Sequence, residues 1–131
     1  GTMYGVGAVL PQMIRKGQGH IINITSDAGR KAFAGLGVYS GSKFFVEGMS
    51  QALRLETADT GVRVTCIQPG NVATPLLATS TDAEGMKAYG EPSGAKVLDP
   101  EDVGRAVVYA ASQPEWCAVN EILVEPRQEP A

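Results

Sequence analysis

Two kinds of hydrophobic pattern alternate along this chain. Residues 20–25 read His-Ile-Ile-Asn-Ile-Thr, a short β-branched run of the sort buried in a parallel sheet. From 39 to 58 the period changes. Val46, Met49 and Leu53 recur at i, i+3 and i+7, and Ala52 widens the stripe, which predicts a helix. Residues 62–67, Val-Arg-Val-Thr-Cys-Ile, return to the strand pattern, and Gly61 suits the helix-to-strand turn. Strand, helix and strand make a βαβ unit, whose crossover is almost always right-handed.

The flanks extend this α/β reading. Met3, Val6, Leu10 and Met13 lie at helical spacing over residues 3–15, with Pro11 expected to kink or weaken that helix. Residues 74–98 mix Thr, Ser, Gly and Pro with Leu76, Leu77, Met86 and Tyr89. They read as a mobile lid holding a short amphipathic helix, or as a solvated surface excursion. Asp99-Pro100-Glu101-Asp102 is a helix start: a capping residue, proline at the first position, then acids in the first turn. That helix is expected to run to about Ser112, before Pro114. Residues 120–124 form a last strand, and 125–131 a polar tail.

The topology gives one group of side chains a chemical meaning. Ser26 is expected at the end of the first strand and Tyr39 at the start of the next helix, so both fall at the carboxyl edge of the sheet. Lys43 follows Tyr39 by one turn on the same helix face. Pro69-Gly70 leaves the second strand at that same edge, where open α/β sheets bind ligands. A free tyrosine has a pKa of about 10. A neighbouring ammonium favours the phenolate, so the pair suits proton transfer to or from an alcohol or carbonyl oxygen. Ser26 could hold that oxygen against the phenol. The link from Ser26 to Tyr39 carries Gly29, Gly35 and Gly37, and a loop of that length is more often functional than idle.

Three segments in order carry a resemblance: Gly19-His20-Ile21-Ile22-Asn23-Ile24-Thr25-Ser26 with Ala28-Gly29, then Tyr39-Ser40-Gly41-Ser42-Lys43, then Pro69-Gly70-Asn71-Val72-Ala73-Thr74. Together they resemble the short-chain dehydrogenase/reductase family. The resemblance implies a Rossmann-type, doubly wound parallel α/β sheet. It implies hydride transfer between NAD or NADP and a carbonyl or secondary alcohol. It makes Ser26, Tyr39 and Lys43 catalytic: Ser26 orients the substrate oxygen, Tyr39 is the acid/base, and Lys43 tunes Tyr39 and holds the nicotinamide ribose. Pro69, Gly70 and Val72 would pass the nicotinamide, and Thr74 would help to bind the cofactor. The ending Asn120-Glu121-Ile122-Leu123-Val124-Glu125-Pro126 resembles cytoplasmic NADP-dependent members acting on small hydroxy acids, so NADP is favoured over NAD.

The family's amino-terminal T-G-x-x-x-G-x-G loop, where the backbone meets the cofactor pyrophosphate, has no counterpart here. Gly35-Leu36-Gly37 is a partial match, but Ser40 stands where G-x-G-x-x-G needs its last glycine. Gly1-Thr2-Met3-Tyr4-Gly5 resembles the segment after the family's Asn-x-x-Gly motif. The expectation is therefore residues 1–131 as a partial Rossmann domain, the carboxyl-terminal half. Alone it is expected to be inactive, and to be a homo-oligomer when full length. The alternative is a non-enzymatic binding or regulatory subunit.

Composition agrees with a globular chain: 131 residues, 44% hydrophobic and 19% charged. A net charge of −3 with no Lys/Arg cluster argues against nucleic acid as a partner. No run has transmembrane length, and a cytoplasmic location is expected. Cys66 and Cys117 are too few for a four-ligand zinc site; Cys66 reads as a core residue and Cys117 as the more accessible. His20, the one histidine, reads as a surface residue at the edge away from Ser26, and no G-x-S-x-G elbow is present. Asp27 reads as a loop or turn residue, with a substrate-facing role as the alternative.

Overall fold

The computed structural model describes residues 1–89 and 94–130. Helix α1 (Thr2–Lys16) leads into β1 (Gly19–Ile24), α2 (Gly37–Glu56) and β2 (Val62–Pro69). Then come α3 (Ala83–Tyr89), α4 (Pro100–Ala111) and β3 (Glu121–Val124). The three strands form one parallel sheet in the order β1-β2-β3. Gly19 pairs with Val62 and Ile24 with Ile67, while Cys66 pairs with Glu121. This is the α/β architecture that the alternating periods predict, of the Rossmann type that the resemblance implies.

Side chains alternate across a strand, so Val62, Val64 and Cys66 share one face of β2, and Arg63, Thr65 and Ile67 the other. On the first face, Val64 joins Ile21 of β1, Val6 of α1 and Leu53 of α2 in a core flanked by Leu10, Met13 and Met49. The stripes on residues 3–15 and 46–53 thus meet over the sheet. On the second face Arg63 donates to the carbonyls of Gln113, Pro114 and Cys117, at 3.1–3.4 Å. Thr65 donates to the Val119 carbonyl at 2.6 Å. These bonds tie the chain leaving α4 to the sheet, so the sheet is covered from both sides.

Helix α1 runs through Pro11, as the spacing over residues 3–15 predicts. Proline forfeits one backbone bond there, and the apolar contacts of Leu10 and Met13 outweigh the loss. Several other boundaries differ from the sequence reading. Strand β1 ends at Ile24, so Ser26 lies beyond it. Strand β2 continues to Pro69 because Gln68 and Pro69 pair with Leu123 and Val124. Within the 74–98 segment the described residues hold a 3-10 turn (Leu77–Thr79) and the single helix α3. Residues 90–93 of that expected lid lie outside the described residues. The tail is not a loose end: Asn71 donates to Glu129 at 2.7 Å, and the Lys96 amide to Gln128 at 3.2 Å. No helix among the described residues is long and apolar enough to cross a membrane.

His20 departs from expectation. It is half-buried, not a surface residue: its ring reaches Thr65, two residues along β2 from its pairing partner Arg63. Thr65 spends its proton on Val119, so His20 Nε2 must donate to Thr65 Oγ1, at 2.7 Å. His20 Nδ1 is then buried without a hydrogen-bond partner among the described residues. Burial, and secondly the Arg63 charge, hold His20 below its ordinary value of 6.5. The unfolded chain takes up a proton as pH falls through 6.5, and the folded chain does so only at lower pH. Stability contributed by neutral His20 is therefore present above 6.5 and lost as pH falls through the folded value. The urea midpoint should drop between about pH 7.5 and about pH 5.5, and drop less in His20→Gln. Equal drops would show that His20 carries none of the effect.

Two turns meet at the amino-terminal end of the sheet. Gly17 ends α1 at φ 66°, and Gly61 precedes β2 at φ 77°. A Cβ on Gly61 would stand 2.1 Å from the Gly17 carbonyl oxygen. Gly61→Ala therefore combines left-handed strain with a backbone clash, and should cost at least about 2 kcal/mol in chemical unfolding. A change below about 0.5 kcal/mol would mean that the turns separate freely.

Candidate active site

The site grows from the carboxyl end of the β1–β2 pair. Pairing continues one residue past β1, where the Thr25 amide donates to the Ile67 carbonyl at 2.7 Å. The chain then turns over a 3-10 segment, Asp27–Gly29, with Ser26 as its cap. Ser26 is buried. Its hydroxyl accepts from the Ala28 amide at 3.1 Å and donates to Asp27 Oδ1 at 2.9 Å. Asp27 Oδ1 also accepts from the Ala28 amide, at 2.7 Å, so Asp27 is the turn residue expected. To bind a substrate oxygen, the Ser26 proton must leave Asp27.

Gly29 brings this turn against α2. A Cβ there would lie 3.1 Å from Glu47 Cγ and 3.2 Å from the Lys43 carbonyl oxygen. The turn carrying Ser26 and the helix turn carrying Lys43 are thus in direct backbone contact, which no hydrophobic period reveals.

Tyr39 lies in the first turn of α2 and is partly exposed. Lys43 Nζ stands 5.7 Å from the centre of the Tyr39 ring, within cation–π range. The same nitrogen makes one long bond, 3.4 Å, to the Ile24 carbonyl. Burial lowers the Lys43 pKa from its ordinary value. An ammonium has three donors, and among the described residues the one bond to Ile24 leaves capacity for a further acceptor.

The exit of β2 faces the same end. Pro69 is buried, and the Gly70 amide donates to the Val124 carbonyl at 2.8 Å. A Cβ on Gly70 would lie 3.1 Å from Pro126 Cδ. Val72 bridges to Leu98, and the Ala73 amide donates to the Leu98 carbonyl at 2.8 Å. Thr74 follows at an exposed position. The 74–98 segment reaches the loop before α2 through Tyr89, whose hydroxyl donates to the Ala34 carbonyl.

The structure therefore gathers Ser26, Tyr39, Lys43, Pro69 and Gly70 at one sheet edge, with Val72 and Thr74 further out along the exit of β2. The sequence reading passed over Thr25 and Glu47. Glu47 is almost fully buried, and Thr25 Oγ1 donates to its Oε1 at 2.5 Å. A charged residue on the apolar stripe of α2, one turn after Lys43, was the available signal. Burial pushes the Cys66 thiol up, and Ser50 and Glu47 bear on it more weakly.

Known proteins agree with this architecture. The short-chain dehydrogenase family pattern matches residues 1–85. A glycine betaine reductase of Emericella nidulans is 62% identical over 130 residues, which cover 99% of this chain and 10% of that protein. An uncharacterised oxidoreductase of Staphylococcus saprophyticus is 44% identical over 126 residues, 96% of this chain and 50% of that one. Among solved structures, the closed form of serine dehydrogenase complexed with NADP+ superposes with a TM-score of 0.86 at 35% identity, over 98% of this chain and 52% of that one. Serine dehydrogenase from Escherichia coli gives 0.79 at 34% identity, over 98% and 50%. The chain thus spans about half the length of most of these relatives, and much less of the Emericella protein. By its matched segment and its fold, this chain belongs to the short-chain dehydrogenase family.

Proposed function

We propose that this chain supplies the acid/base half of an NAD(P)-dependent oxidoreductase, one that interconverts a carbonyl and an alcohol. The observation that carries the reading is the half-buried Lys43 ammonium beside the Tyr39 ring, at the sheet edge where the Ser26 turn also ends. When bound, the nicotinamide supplies or accepts the hydride. The protein's share is position and a proton. Tyr39 donates its phenolic proton to the oxygen that gains charge during reduction, and recovers it from solvent. Ser26 holds that oxygen once its hydroxyl turns from Asp27. Lys43 stabilises negative charge on the phenol oxygen, and its remaining donors suit a ribose hydroxyl. Pro69, Gly70 and Val72 form the wall that the nicotinamide passes, with Thr74 beside it. NADP is our choice over NAD, in line with the NADP+ held by the serine dehydrogenase structure.

The chain has no glycine-rich loop for the pyrophosphate. Its chemistry therefore needs a preceding half that carries one, and the chain by itself should not oxidise NAD(P)H. With that half joined, Tyr39→Phe should leave cofactor affinity intact and reduce turnover at least about a hundredfold, the low end for general acid/base catalysis. Lys43→Met should weaken cofactor binding and move the pH–rate profile to higher pH, and Lys43→Arg should restore only part. Turnover within a few-fold of the parent in Tyr39→Phe would remove the phenol from the mechanism.

A second observation supports a substrate class. At 62% identity over nearly the whole chain, the Emericella relative is named for glycine betaine. A tyrosine–lysine pair protonates a carbonyl oxygen, so the matching step is aldehyde to alcohol. We therefore assign a small aldehyde with a trimethylammonium head, and Asp27 places a negative charge beside Ser26 to favour it. Betaine aldehyde should be reduced with a kcat/KM at least about tenfold above its neutral isostere 3,3-dimethylbutanal, a difference of roughly 1.4 kcal/mol. Equal values would exclude recognition of the cationic head.

A further inference from the structure

Glu47 is a buried carboxylate that the proposed chemistry does not use. It lies one turn after Lys43 on α2, with only 5% of its surface exposed. Residues four apart on a helix are neighbours, so its position is tied to that of Lys43. Its Oε1 accepts from Thr25 Oγ1 at 2.5 Å. Thr25 is the residue before Ser26, and its hydroxyl also lies 3.1 Å from the Ile67 carbonyl that receives its amide. The methylene stem of Glu47 stands against Gly29, at the other end of the Ser26 turn. Glu47 therefore holds both ends of the turn that carries Ser26, from the helix turn that carries Lys43.

The surroundings are built for such a task. Beside Glu47 lie Cys66 and Ser50, and Ser50 accepts from Asn23 Nδ2 at 3.0 Å. All four side chains are buried between the sheet and α2. Buried polar groups cost stability unless they are paired, and a paired network holds one geometry better than apolar packing does. A network at this place fixes the height of α2 over the carboxyl end of β1. The distance between the Ser26 hydroxyl and the Tyr39–Lys43 pair depends on that height.

We propose that Glu47 and Thr25 act as a positioning pair: the Thr25–Glu47 hydrogen bond sets the Ser26 hydroxyl against the acid/base helix. This rests on the acid/base reading of Tyr39 and Lys43. Neither residue reaches the reacting atoms. A displacement of about 1 Å in a catalytic group can cost on the order of a hundredfold in rate. Loss of the bond should thus lower turnover more than it lowers cofactor affinity.

The test uses the chain joined to the half of the fold that carries the glycine loop. Thr25→Val removes the hydroxyl at nearly constant volume. It should reduce kcat by about tenfold or more, with the NADPH dissociation constant within about twofold of the parent. Glu47→Ala should do the same, while Glu47→Gln, whose amide oxygen can accept the Thr25 proton, should recover most of the rate. The double variant Thr25→Val/Glu47→Ala should be no slower than the slower single variant, since both remove one interaction. Thermal unfolding of each variant separates misplacement from loss of folded protein. A Thr25→Val turnover within twofold of the parent overturns the proposal. So do additive losses in the double variant, or a rate loss that only follows the folded fraction. Tyr39→Phe is measured alongside. If it retains turnover, the acid/base reading fails. If it loses turnover and Thr25→Val does not, only the positioning role fails.

Discussion

The register of β1 on β2 is the constraint from which the site follows. Ile24 pairs with Ile67, and the Thr25 amide carries the ladder one bond further. A parallel strand slipped by one residue would turn every side chain to the opposite face. Were β1 the strand to slip, Ile21 would leave the core under α1 and α2, and Thr25 would leave Glu47. The apolar core and the polar network are therefore specified by the same pairing. The core contributes most of the stability, because burial of apolar area is the large favourable contribution in folding. The network contributes position.

The second constraint is how closely α2 can approach. Gly29 allows the turn after β1 to touch the Lys43 backbone, and Gly61 allows the turn before β2 to touch Gly17. One contact lies at each end of the β1–α2–β2 unit: the first sets the start of α2 against the Ser26 turn, and the second joins the turns that enter β1 and β2. Lys43 is then drawn over the carbonyl of Ile24, where it loses part of its hydration. A half-desolvated ammonium beside a phenol is an unusual arrangement, and sites of this kind cluster where chemistry is done.

The far strand is held differently. Glu121 at the start of β3 meets Arg30 at 3.2 Å and Arg54 at 3.4 Å. These pairs are partly exposed, and such bridges contribute little to stability singly. Their interest is connectivity: Arg30 leaves the Ser26 turn, Arg54 belongs to α2, and both reach the same carboxylate. The tail then returns to the exit of β2, with Pro126 against Gly70 and Glu129 on Asn71. Three separate stretches of chain thus converge around one sheet edge.

Local pattern determined much of this protein. The periods over 20–25, 39–58 and 62–67 specify strand, helix and strand, because burial on two faces or one stripe needs those spacings. The Tyr39 and Lys43 pair was legible too, since a helix makes neighbours of residues four apart. So was the placement of Ser26 at the same edge, since a βαβ unit returns there. Other features only the tertiary structure decided. Pro11 sits inside an unbroken helix because packing outweighs one lost hydrogen bond. His20 is half-buried because it lies along β2, where its ring reaches Thr65, far along the chain. Glu47, Thr25 and Gly29 meet because the register and the helix height bring them together. Periodicity records which face of an element is apolar. It holds no record of which polar groups on two packed faces come into contact.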